Sequence, residues 1–125
     1  MFSVLIVDDH PPFRSAVRLL LERDDFRVVG EADDGEAALD AVRRLAPDLV
    51  LLDVQLPGED GFAICERMLA ATVAGHERAP VVVLTSGRPI GTFRRRLARS
   101  RAAGFIAKPD LTASALAALV AGTTP

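Results

Sequence analysis

Four of five short apolar runs break off abruptly on charged or hydroxyl residues, and few folds accommodate that pattern. Val4-Leu5-Ile6-Val7 stops at Asp8-Asp9, Leu49–Leu52 at Asp53, Val81–Leu84 at Thr85-Ser86, and Phe105-Ile106-Ala107 at Lys108-Pro109. A weaker run around Val28-Val29 and Ala32 has no such ending. Runs without polar alternation suit strands covered on both faces, as in a parallel sheet. Helix-period segments lie between them. Phe13, Ala16, Val17, Leu20 and Leu21 repeat at helical spacing, with Pro12 suited to a first turn. Ala38, Val42 and Leu45 share a face within about 36–45, and Pro47 ends that segment. Phe62, Cys65 and Leu69 point inward from about 62–74; Ile90, Phe93 and Leu97 form a narrower stripe; Leu116, Leu119 and Val120 line a last helix over 111–121, capped by Asp110 or Thr112. Strands alternating with helices imply an α/β fold, a doubly wound parallel sheet with helices on both faces.

The 125 residues are enough for one domain with a real core. A single cysteine excludes a disulfide scaffold, and an apolar half with a net charge of only −2 excludes a disordered chain. No apolar run is long enough to span a membrane. Met1 leads straight into a short apolar run and two aspartates, unlike a secretory leader, so a cytoplasmic location is expected. Residues 1–121 read as the domain and 122–125 as a tail or the start of a linker. Charge is polarised: residues 1–77 carry seven arginines and sixteen acids, whereas 78–109 carry seven arginines, Lys108 and no acid. Such asymmetry suggests an anionic ligand or partner on one side, although solvated helix faces also produce it.

In open parallel sheets, ligands bind beyond the carboxyl ends of the strands. Asp8, Asp9 and Asp53 all stand at such ends. Two carboxylates at ~4 Å and an effective dielectric of ~20 repel by about 4 kcal/mol, so a counter-charge is required. Hard oxygen donors with room for water suit Mg²⁺. Lys108 is the chain's one lysine against fourteen arginines, which fits a position needing a compact ammonium. Thr85 adds a hydroxyl donor, with small Ser86 and Gly87 beside it. A carboxylate nucleophile, a cation pocket, a hydroxyl and an ammonium are the equipment for phosphoryl transfer to a carboxylate.

Four segments resemble the receiver domain of bacterial two-component response regulators: Val7-Asp8-Asp9-His10-Pro11, Leu51-Leu52-Asp53-Val54-Gln55-Leu56-Pro57-Gly58-Glu59-Asp60-Gly61, Val83-Leu84-Thr85-Ser86, and Gly104-Phe105-Ile106-Ala107-Lys108-Pro109. The Asp-Asp-His-Pro opening with Phe13-Arg14 is most similar to the NarL/FixJ-type subfamily, whose members usually carry a C-terminal helix-turn-helix. The resemblance implies a flavodoxin-like five-stranded sheet in the order 2-1-3-4-5. Asp53 is then the acceptor of a phosphoryl group from a sensor histidine kinase. Mg²⁺ would be held by Asp9, Asp53 and the backbone carbonyl of Gln55, with Asp8 acting mainly through water. Thr85 and Lys108 would bind phosphoryl oxygens, Thr85 and Phe105 would form the switch, and Lys108–Pro109 would be a cis peptide. The output surface would be the fourth helix, fifth strand and fifth helix, with a homodimer formed on phosphorylation, no membrane partner, and nucleic acid met only through an output domain absent from this chain. Such a domain is a signalling switch rather than an enzyme, catalysing only its own phosphorylation and dephosphorylation.

Two rival readings stand beside this one. A phosphohydrolase with an aspartyl nucleophile would want a second aspartate two residues on, where Gln55 stands. A degenerate receiver would act as a phosphorylation-independent interaction module. The chain also departs from the family at Gly87–Arg101, where Arg88, Arg94, Arg95, Arg96, Arg99 and Arg101 replace the usual acid-containing helix. That segment is either a solvated, partly frayed helix face or an altered interaction surface; it lacks the aromatic interleaving expected of direct DNA binding. Cys65 reads as core, His10 as a loop or cap residue or a modulator beside the metal, and His76 as a loop residue; Gly87–Gly91 lacks the Gly-Lys-Ser/Thr of a phosphate loop.

Overall fold

The computed structural model describes residues 1–74 and 79–121, and the side chains of 71–74 are left aside. The expectations for His76 and for 122–125 therefore lie outside the described residues. Strands β1 (Phe2–Val7), β2 (Phe26–Ala32), β3 (Leu49–Asp53), β6 (Val81–Ser86) and β7 (Gly104–Ala107) form a parallel sheet in the order β2-β1-β3-β6-β7. This is the expected 2-1-3-4-5 order. It is interrupted in sequence by a two-residue antiparallel ribbon, β4 (Gln55–Leu56) with β5 (Glu59–Asp60), that the apolar pattern did not announce. The ribbon turns at Gly58, whose φ of +66° suits glycine.

Successive side chains of a strand point to opposite faces, and the apolar runs therefore feed two cores. Leu5, Val7, Val50, Leu52, Val82 and Leu84 meet α2 (Gly35–Leu45) through Ala38 and Val42, and α3 (Gly61–Ala74) through Ile64, Cys65 and Met68. Val4, Ile6, Leu49, Leu51, Val83 and Ile106 meet α1 (Pro11–Glu22) through Val17 and Leu21, and α5 (Ala113–Leu119) through Leu116 and Val120 just beyond it.

The helix ends follow local chemistry. Pro11 and Pro12 occupy the first turn of α1, where a missing N–H costs nothing. Asp34 caps α2 by accepting from the Ala37 N–H at 2.8 Å, and Ala46 leaves that helix in the left-handed region, φ 46°, ahead of Pro47. Of the two candidate caps for α5, Thr112 takes the role by accepting from the Ala115 N–H at 3.0 Å.

The arginine-rich segment is less helical than its stripe implies. A 3-10 turn, Ile90–Phe93, precedes a six-residue α4 (Arg94–Arg99). Phe93 is buried and Leu97 packs on the first core, but Ile90 is exposed. Pro89 and Gly91 near the start and the absence of a side-chain cap explain the shortness. Among the described residues, no helix is long and apolar enough to cross a membrane.

Candidate phosphoryl-acceptor pocket

Parallel register carries the reactive residues to one edge. Val7 pairs with Leu52, so the next residues, Asp8 and Asp53, emerge side by side; Asp53 pairs with Thr85, and Ser86 with Ala107 just before Lys108. Asp8 is fully buried and Asp53 nearly so. The Lys108 ammonium reaches between them, 2.8 Å from Asp8 Oδ2 and 3.3 Å from Asp53 Oδ2. It is the counter-charge that converging carboxylates demand.

The pocket is also wired by backbone. Asp8 Oδ1 accepts the His10 N–H at 2.8 Å, and Asp53 Oδ1 accepts the Gln55 N–H at 3.0 Å. Arg14 donates through Nη1 to the Asp8 carbonyl and through Nε to Glu31 at 2.8 Å. The first turn of α1 is thereby tied to the tips of β1 and β2. Gly61 opens α3 so close to the Asp53 loop that a Cβ would lie 2.4 Å from the Asp53 carbonyl oxygen. Any larger residue there would displace the loop.

Burial pushes the Asp53 carboxyl up from its ordinary value, and neighbouring Asp8 adds to that, while the Gln55 N–H and Lys108 pull the other way. For Lys108, burial favours the neutral amine, but Asp8 and Asp53 together outweigh it and hold its pKa above the ordinary lysine value. The pocket thus leaves Asp53 short of compensation while keeping Lys108 charged.

Asp8, Asp9, His10 and Asp53 each offer a ligand atom within 4.8 Å of the others. Asp9 is partly exposed, yet its Oδ1 is buried and accepts no hydrogen bond among the described residues; it lies 3.2 Å from His10 Nδ1. A buried carboxylate oxygen without a donor, beside two further carboxylates, fits a hard divalent cation. His10 holds the cap position of α1 without a side-chain capping bond, and its Nδ1 lies 3.2 Å from both Asp8 Oδ1 and Asp9 Oδ1.

The Thr85 and Phe105 side chains have partners other than the carboxylates. The Thr85 hydroxyl donates to the Ile106 carbonyl at 2.7 Å. Phe105 is partly buried, its ring 5.7 Å from that of Phe93, which in turn lies 6.0 Å from Phe62. One expectation fails: the Lys108–Pro109 peptide is trans. Lys108–Asp110 forms a 3-10 turn closed by the Leu111 N–H on the Lys108 carbonyl at 3.2 Å. From that turn the ammonium already reaches the pocket, in the isomer that X-Pro bonds favour by about 0.5–1 kcal/mol.

Two features of the site were not assigned from the sequence. Glu59, on the ribbon, accepts the Gly35 N–H at 2.7 Å and so ties the Asp53 loop to the start of α2. Phe13 lies under the Lys108 ammonium, which is 4.3 Å from its ring centroid. Only the phenylalanine beside Arg14 in the first turn hinted at the second.

A doubly wound sheet with a caged lysine and three carboxylates at its carboxyl edge defines an α/β domain built around an acidic, cation-competent pocket. The match to known proteins narrows that class. The model of the response regulator receiver domain matches residues 4–120, and the chain belongs to that family. It is 42% identical over 108 residues to BvgA of Bordetella pertussis, named as a positive transcription regulator of virulence factors, covering 86% of this chain and 49% of BvgA. The chain thus spans about half the length of the curated relatives it matches. Among solved structures, the signal receiver domain of NarL from Mycobacterium tuberculosis aligns with a TM-score of 0.77 and 32% identity, covering 96% of this chain and 97% of that one. A LuxR-family two-component response regulator from Aurantimonas aligns with a TM-score of 0.84 and 28% identity, over 98% of this chain and 86% of that one. The NarL-type likeness read from the first loop agrees with these neighbours.

Proposed function

We propose that Asp53 is the phosphoacceptor of a signalling switch. The carrying observation is the Lys108 ammonium held between two buried carboxylates, one of which, Asp53, burial leaves undercompensated. In the transfer, an Asp53 carboxylate oxygen forms a bond to phosphorus as the P–N bond of a kinase phosphohistidine breaks, and the imidazole nitrogen takes up a proton. Asp9, Asp53 and the Gln55 carbonyl would hold Mg²⁺, with Asp8 acting mainly through water. The cation, when bound, neutralises charge on the transferring phosphoryl group. Lys108 exchanges its contact with Asp53 for a phosphoryl oxygen. Thr85 breaks its bond to the Ile106 carbonyl to donate to another oxygen, and Phe105 follows it inward.

Phosphorylation adds roughly −1.5 to −2 charges. It shifts the domain only to the extent that the new oxygens are bound better in one arrangement than in the other. The α4–β7–α5 surface reads out that difference. Residues 1–121 act as one receiver unit in the cytoplasm, and the whole protein couples it to a DNA-binding half; the double length of BvgA and its name support this.

Mass spectrometry after incubation with acetyl phosphate and Mg²⁺ tests the reading. One phosphoryl adduct, lost in Asp53→Asn, is expected; the P–O bond to acetate breaks as the Asp53 acyl phosphate forms. Phosphate release over many turnovers would indicate a phosphohydrolase, and no adduct an interaction module.

A further inference from the structure

We propose that Phe13 is a positioning residue for phosphoryl transfer: its ring face holds the Lys108 ammonium at the mouth of the pocket, against Asp8 and Asp53. This rests on Asp53 being the phosphoacceptor and adds a residue to that site.

Lys108 begins an exposed three-residue turn, with Pro109 and Asp110 both open to solvent. Its four-carbon stem therefore needs lateral restraint from elsewhere. Two restraints are the carboxylates, at 2.8 and 3.3 Å. The third is the Phe13 ring, at 4.3 Å. The side chain is 19% exposed, so the cation–ring attraction is only partly screened.

The three restraints differ in kind. Asp53 is the group to be phosphorylated, and its hold on the ammonium ends when it reacts. Asp8 offers a charge, which competes with the phosphoryl oxygens for the same cation. The ring is uncharged: it fixes the ammonium without adding a fourth negative group to a pocket of three carboxylates. It is also the restraint least changed by phosphorylation, because α1 does not carry the reacting group.

The position of the ring is built in. Pro11 and Pro12 stiffen the turn that presents Phe13. Arg14 anchors that turn to the Asp8 carbonyl and to Glu31. Phe13 itself packs against the core shared by β1, β7 and α5.

The chain's single lysine makes the test clean. With lysine labelled in ¹³C, NMR reports Lys108 alone, and protons on its ε-carbon above a ring face are shifted upfield. In Phe13→Leu that shift is expected to vanish, and the rate of adduct formation with acetyl phosphate and Mg²⁺ to fall between about 5-fold and about 30-fold. Phe13→Tyr and Phe13→Trp should keep both. Pentafluorophenylalanine at position 13 retains the shape but not the negative ring face, and should slow the reaction as Phe13→Leu does. That residue keeps the test decisive should Phe13→Leu lose its fold. Wild-type rates in Phe13→Leu, or equal losses in Phe13→Leu and Phe13→Tyr, would overturn the proposal. Wild-type protein that takes no adduct would instead overturn the reading of Asp53, and this proposal with it.

Discussion

The carboxyl edge of the sheet carries two charged regions that are built in opposite ways. Around β1 and β3, Asp8 and Asp53 are buried, and each oxygen has an assigned neighbour. Around α4, the arginines are exposed, and their placement rests on a few long side chains. Arg96 pairs with Asp60 and lies over the Phe62 ring at 4.3 Å, and Arg101 pairs with Glu66 at 3.0 Å. Arg88, Arg94, Arg95 and Arg99 have no side-chain partner among the described residues. Strand register places the first set of charges; solvent governs much of the second. Buried charges carry large energies because water cannot answer them, whereas exposed ones are screened. The pocket is thus a fixed cluster of charge set by the sheet, while the arginine face carries charge that water largely screens.

The largest effect should come from stripping the pocket of its cation. Lys108→Ala leaves Asp8 buried without its ion pair, and breaking such a pair costs about 3 kcal/mol. Urea unfolding at neutral pH without divalent ions should show that loss. Added Mg²⁺ should restore most of it, since a ligand of the native state at a hundredfold excess over its Kd contributes about 2.7 kcal/mol. A loss that Mg²⁺ does not relieve would mean that the carboxylates do not share one cation site.

Asp53→Asn should act in the reverse direction. Folding raises the Asp53 pKa, so the folded protein keeps that proton to higher pH than the unfolded chain does. Between the two values stability falls as pH rises, and above the folded value the whole cost is present. Without divalent ions, the variant should therefore melt higher than wild type at pH 7. Its advantage should shrink as pH falls toward the unfolded carboxylate value near ~4. A variant less stable than wild type at pH 7 would show that Lys108 fully compensates Asp53.

The same contrast explains what could be read from the sequence. Apolar runs ending on Asp8, Asp53, Thr85 and Lys108 were legible because a parallel sheet converts a strand end into a place, and the order of the strands into neighbours. Cys65 was legible as core, and burial pushes its thiol up to about 11, far from reactivity. What escaped depends on angles that no spacing encodes. Phe13 has the helical period of a core residue, and only the reach of Lys108 across the sheet end makes its ring part of the site. The β4–β5 ribbon has two residues per strand, too few for any periodicity. The trans Lys108–Pro109 bond departs from what the resemblance implied and had no local sign. For α4, the stripe of Ile90, Phe93 and Leu97 overstated the helix because only two of the three side chains pack on the core.

At α4 the comparison is sharpened by small effects rather than large ones. Arg96→Ala removes both the Asp60 ion pair and the contact with the Phe62 ring, and should cost about 1 kcal/mol, with faster amide hydrogen exchange over 90–101. Arg95→Ala and Arg99→Ala remove charges that hold nothing in the folded chain, and each should change stability by less than about 0.5 kcal/mol. If the two small variants also leave exchange over 90–101 unchanged, α4 is held by Arg96, Phe93 and Leu97, and Arg95 and Arg99 are not needed for the fold. If either costs as much as Arg96→Ala, its guanidinium is bound to something in the folded chain, and the division between a buried, register-built pocket and a solvent-governed face fails on its weaker side.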